Sequence, residues 1–197
     1  MDIEIFQWLH SGAGHRPIVD GLAVFFAETG PYLMLALFVA LWFFVSKEKK
    51  NALLEATEAA VVGLIMNQLV GLFYFHPRPY MIGLCTPLLP HGPETSFPSD
   101  HATLLFAATF YLLMGRRWVN CGVTVLVIAC LTAWGRVYSG IHFPFDMAGS
   151  LVVGLISTGL IRWFAERLAP LNIKLIRVSD QLMDHVVRPR HRGTRRH

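Results

Sequence analysis

Charge is scarce in this chain: 15% of its 197 residues are Asp, Glu, Lys or Arg, against about 25% in ordinary soluble domains. So little charge argues against a domain solvated on every side. Cysteine is scarcer. Cys85, Cys121 and Cys130 show no metal-ligand spacing and no obvious disulfide pair, so they read as packing residues. There is no glycine-rich loop to cradle nucleotide phosphates, and no internal repeat. The first residues are not expected to be a signal peptide. They open on Asp2 and Glu4 rather than a basic region, and no small-residue cleavage site follows an apolar core.

What the chain does have is apolar length. Hydrophobic residues make up 54%, and several runs approach the roughly 20 helical residues needed to cross a hydrocarbon core about 30 Å thick. The expected fold is an all-α membrane protein: a bundle of five transmembrane helices with a short N-terminal interfacial helix and a cytoplasmic basic tail. The predicted spans cover about 18–45, with a kink at Gly30-Pro31, then 53–75, 99–117, 118–134 and 143–164. Residues 1–166 form the membrane domain and 167–197 an amphipathic, polybasic tail. Trp8 would anchor the first helix in the interface, a frayed terminus being the alternative. Glu28 falls inside the first span, where a carboxylate costs a few kcal/mol. A hydrogen bond between helices is the preferred reading for it over a catalytic role.

Charge bias orients the bundle. With five spans, the basic hairpin at 47–50, the Arg116-Arg117 turn and the tail share one side and, with Arg162 near the end of the last span, hold fourteen of the seventeen Lys and Arg residues. The positive-inside rule places that side, with the C-terminus, in the cytoplasm. The tail is attracted to anionic lipid, and no recognition element elsewhere supports binding to nucleic acid. Arg16, Arg78 and Arg136 remain on the outer side.

Titratable groups gather at that outer mouth. In the stretch Gly135 to Asp146, Pro144 suits a first helical turn, which puts His142 and Asp146 one turn apart on one face. An acid beside a histidine fixes its tautomer and supports positive charge on it, as an activated nucleophile or base requires. Arg136 adds a planar cation matched to phosphate oxygens. Ser99 is a good N-cap for the next apolar run, and the free N–H groups of that turn favour an anion. His101 projects from the same turn. Helix capping at the membrane surface is the alternative for each cluster alone, but a phosphate site accounts for them together.

Three segments resemble the signature of the type 2 phosphatidic acid phosphatase superfamily, K-x6-R-P, P-S-G-H and S-R-x5-H-x3-D. Here they read Arg78-Pro79, then Pro98-Ser99-Asp100-His101, then Gly135-Arg136 with His142 and Asp146. Within it, the short amino terminus, the five spans and His76-Pro77-Arg78-Pro79-Tyr80 resemble bacterial undecaprenyl-diphosphatases. The resemblance implies a nucleophile, His142, oriented by Asp146, and a proton donor, His101. It further implies phosphate binding by Arg78, Ser99 and Arg136, with Asp100 beside them. A phosphohistidine intermediate follows, on an isoprenoid diphosphate lipid of the cell-wall cycle. No metal, no cofactor and no obligate protein partner are expected, and membrane lipids are the surroundings. The location implied is the bacterial cytoplasmic membrane, with the site on the outer face. Three positions depart from the pattern: Gly71 replaces lysine, Asp100 replaces glycine and Gly135 replaces serine. His76 is taken as a partial substitute for the missing cation. Phosphatases or phosphotransferases acting on phosphatidylglycerophosphate, phosphatidic acid or lipid A are the nearest alternatives, and a lipid or ion transporter a distant one.

Overall fold

A computed structural model of the chain describes residues 1–114 and 118–187, the last four as backbone only. Helices are the regular secondary structure among these residues. The elements are α1 (Asp2–His10), α2 (Pro17–Trp42), α3 (Lys47–Phe73), α4 (Asp100–Met114), α5 (Val119–Tyr138) and α6 (Pro144–Val187), with a 3₁₀ turn at Pro79–Ile82. The expected Arg116-Arg117 turn and the arginine-rich end from Arg188 lie outside the described residues.

Proline and polar residues set the helix starts. Pro17 and Pro144 each occupy the first position, where a missing N–H costs nothing. Among the described residues, α2, α3, α5 and the 144–183 stretch of α6 are long and apolar enough to cross a membrane. The protein is therefore a multi-span membrane protein. The third expected span, α4, has 15 residues, about 22 Å at 1.5 Å per residue. It nonetheless sits centrally, packed against α3, α5 and α6 and touching α2. Small residues permit that closeness. A Cβ on Gly154 would stand 3.0 Å from the Ala107 backbone nitrogen, and one on Gly63 2.9 Å from the Thr103 methyl.

Several boundaries differ from expectation. The helix α3 starts at Lys47 rather than near Leu53, so the basic hairpin is its first turn. Lys50 is buried there and paired with Asp180 at 2.5 Å. The helix α5 runs to Tyr138, which puts Arg136 in its last turn instead of beyond it. The largest difference is α6, which continues past Phe164 to Val187 without a break at residue 166. Partly buried Leu168, then buried Asn172 and Ile176, recur every fourth residue on one helix face. Lys50 and the Trp42 indole, which donates to Ser179 Oγ at 2.7 Å, hold the following turn. The extension thus packs on the bundle rather than lying separately.

At the opposite end, α1 is rooted by Phe6, fully buried and edge-on to Phe143 at 5.4 Å. Trp8 is 75% exposed. The Asp2 carboxylate accepts the Phe145 N–H at 3.0 Å, so α1 caps the start of α6. Of the cysteines, Cys121 is buried and Cys85 half-buried, whereas Cys130 is exposed on α5 and does not pack inside.

Candidate active site

The site is built where α4 and α6 begin and α5 ends, closed by the 74–99 connection. That connection is clipped to itself by Ser96 N–H to the His76 carbonyl at 2.8 Å and His76 N–H to Thr95 Oγ1 at 3.1 Å. Leu88 N–H, bonded to the Ser139 carbonyl at 3.0 Å, ties it to the end of α5.

His142 lies just before α6 and is 2% exposed. Its Nδ1 meets Asp146 Oδ2 at 3.1 Å, the one-turn pairing expected from the sequence. The same oxygen accepts the Phe143 N–H at 2.8 Å, which fixes the carboxylate at the helix start. Because Nδ1 faces a carboxylate, it carries the hydrogen, and Nε2 presents its lone pair. Two guanidinium groups face that lone pair, Arg136 Nη2 at 3.0 Å and Arg78 Nη1 at 3.2 Å. Burial first, and then the charges of Arg136 and Arg78, hold the His142 pKa well below the usual histidine value. The ring is neutral.

Both arginines are held by backbone carbonyls, so their charge stays unneutralised. Arg78 donates to Ile141 O at 2.9 Å, Glu94 O at 3.2 Å and Thr95 O at 3.2 Å. Arg136 donates to Ala27 O at 3.0 Å. The two cations and His142 line a cavity of about 420 Å³ whose other walls include His91, Thr95, Asp100, His101 and Gly71. A cavity with two fixed guanidinium groups and an imidazole lone pair suits a phosphoryl group.

The remaining expected residues fall as follows. His101 lines this cavity and also a second one of about 450 Å³, which shares His91 and Arg136 with it. Ser99 is fully buried, and its carbonyl accepts the Thr103 N–H at 2.8 Å, as an N-cap residue's does. Its hydroxyl caps nothing and has no hydrogen-bond partner among the described residues. Asp100 turns to α3, accepting from Asn67 Nδ2 at 2.8 Å and Gln68 Nε2 at 3.3 Å on the cavity rim. His76 departs from expectation. It is not among the cavity-lining residues; its Nδ1 lies 3.0 Å from Asp146 Oδ1, behind the site. Glu28 makes no hydrogen bond to another helix among the described residues, but lines the second cavity with Thr29 and Tyr32. The reading of the sequence missed His91, Asn67 and Gln68, which carry no motif. Asn67 and Gln68 lie four and three residues before Gly71, the sole spacing signal available for them.

Comparison with known proteins adds the family. Residues 52–169 match the pattern of the PAP2 superfamily. The chain is 30% identical over 188 residues to the undecaprenyl-diphosphatase BcrC of Bacillus subtilis, covering 95% of this chain and 96% of that one. Two solved structures share its fold at 23% identity. One is LpxE of Aquifex aeolicus, with a TM-score of 0.66 over 81% of this chain and 93% of that one. The other is a transmembrane PAP2-type phosphatidylglycerolphosphate phosphatase of Bacillus subtilis, with a TM-score of 0.63 over 85% of each chain.

Proposed function

We infer the activity from membership: the chain belongs to the PAP2 superfamily, and its mouth is arranged for phosphoryl transfer from a membrane lipid. The reading is a lipid phosphatase that removes the terminal phosphate of undecaprenyl diphosphate, leaving undecaprenyl phosphate and inorganic phosphate. One observation carries the chemistry. The Nε2 of a neutral, buried His142 faces two guanidinium groups while Asp146 holds Nδ1.

The steps follow from those contacts. An incoming phosphoryl group offers its oxygens to Arg78 and Arg136, which exchange the His142 lone pair for better acceptors. The freed Nε2 attacks phosphorus, and the bond from phosphorus to the bridging oxygen breaks with its electrons on that oxygen. His101 donates the proton the leaving lipid phosphate takes up. Charge on the new phosphoimidazole is balanced by Asp146, and charge on the equatorial oxygens by the two arginines and the Ser99 hydroxyl. Water then attacks phosphorus with His101 as base, and the N–P bond breaks. On this reading the bundle has five spans, with α4 as the third, and the charge bias supports a site on the outer face and the far end of α6 in the cytoplasm.

The likeness to a phosphatidylglycerolphosphate phosphatase makes that lipid the natural competitor. The test is phosphate release, in excess chelator, from undecaprenyl diphosphate, undecaprenyl phosphate, phosphatidic acid and phosphatidylglycerophosphate by one preparation of full-length enzyme. Preference for the diphosphate, abolished in His142→Asn, is expected. Turnover in that variant would remove the nucleophile, and preference for a glycerolipid would replace the substrate.

A further inference from the structure

Asp146 is fully buried, and the reaction above uses one of its oxygens. Oδ2 serves His142 and the Phe143 N–H. Oδ1 is met from the other side by His76 Nδ1 at 3.0 Å and Ser96 Oγ at 3.3 Å. Facing a carboxylate oxygen, His76 Nδ1 carries the hydrogen and donates it. The Ser96 hydroxyl, 2.8 Å from the same nitrogen, has the His76 carbonyl as acceptor at 3.1 Å. The His76 ring is itself enclosed. Tyr74 stacks on it at 6.0 Å, Phe143 lies at 5.3 Å and Phe97 is edge-on at 6.5 Å.

We propose that His76 is a positioning residue for phosphoryl transfer, gripping the Asp146 carboxylate opposite His142 and so setting the angle of the nucleophile. The proposal rests on the reading of His142 as nucleophile. A carboxylate torsion is broad and roughly two-fold, so one engaged oxygen does not fix its plane. Bonds to both oxygens do. With the plane fixed, His142 Nδ1–H is directed and Nε2 points into the cavity. When the N–P bond forms, the leaving oxygen takes the electrons of the P–O bond, and the Nδ1 proton stays between His142 and Asp146. No proton passes to His76, and His76 touches no substrate. Its contribution is geometric, and displacing a reacting atom by about 1 Å costs on the order of 100-fold.

The experiment compares His76→Ala, His76→Gln and His76→Asn in the full-length protein in detergent, with undecaprenyl diphosphate as substrate and His142→Asn in parallel. The Asn Nδ2–H sits near the position of the imidazole Nδ1–H, while the Gln amide reaches too far. Expected are a fall in kcat of about 10- to 100-fold for Ala and Gln, KM within about twofold, and recovery of most of kcat by Asn. Three results would overturn the proposal: a raised KM with kcat kept, which marks a phosphate ligand; a lowered thermal midpoint with kcat kept, which marks a brace; or Asn as slow as Ala. Turnover by His142→Asn would instead sink the nucleophile reading, whereas a dead His142→Asn beside a fully active His76→Ala would sink this inference alone.

Discussion

Gly135 faces the Ala23 carbonyl so closely that a Cβ on it would stand 2.5 Å from that oxygen and 3.0 Å from Ala27 N. The family pattern has serine at this position, and its replacement reads from sequence as a lost hydrogen bond. The structure gives another reason: α2 and α5 meet backbone to backbone here, beside the Arg136 bond to the Ala27 carbonyl. Restoring the serine as Gly135→Ser is expected to cost about 1–3 kcal/mol by overpacking and to shift Arg136. Its measure is the thermal midpoint in detergent together with KM. An unchanged midpoint would refute the close-approach account.

Acid should weaken the fold through His142. The unfolded ring titrates near 6.5, whereas the folded one is held well below that by burial and by Arg136 and Arg78. The unfolded chain therefore takes the proton first. The stability this ring contributes is fully present above about pH 6.5 and falls below it, by up to about 1.4 kcal/mol per pH unit. Thermal midpoints taken from pH 8 to 5 should decline less steeply in His142→Asn than in the unmodified chain. Parallel curves would show that the ring does not resist protonation.

Gly71 leaves room for the cation it replaces. A Cβ there meets only the Thr95 methyl at 3.4 Å, and the position lines the cavity. Gly71→Lys should tighten inhibition by inorganic phosphate about 3- to 10-fold, less than a fully buried charged hydrogen bond would give. No gain would mean that phosphate sits away from that wall.

Orientation is testable by labelling. Cys85 is a poor reporter, because it is half-buried, its Sγ lies 3.6 Å from the Gly140 carbonyl, and burial raises its pKa. A cysteine at exposed Gly92, in a Cys85→Ser background, should react with an impermeant maleimide in intact cells, while one at Glu48 should not. The reverse pattern would invert the topology.

Much of the site was legible because it obeys local rules. The one-turn spacing of His142 and Asp146, the proline starts and the N-cap at Ser99 each depend on neighbours in the chain. His76 was misplaced for the converse reason. Its partner lies 70 residues away, and a histidine beside an Arg-Pro pair gives no hint of which way its ring turns. The tail was misread because Leu171, Ile173, Leu175 and Val178, the exposed residues, hide the four-residue period of Leu168, Asn172 and Ile176. Gly135 could not be read at all, since close approach of α2 is written in α2.

The proline within α6 sits at residue 170, about 40 Å along the helix from its start. A proline forfeits one backbone bond and crowds the carbonyl of the preceding turn. The softest point of the longest rod therefore lies remote from the end that carries Asp146. A bend of α6 at that point would tilt its distal part and leave the register of Asp146 unchanged.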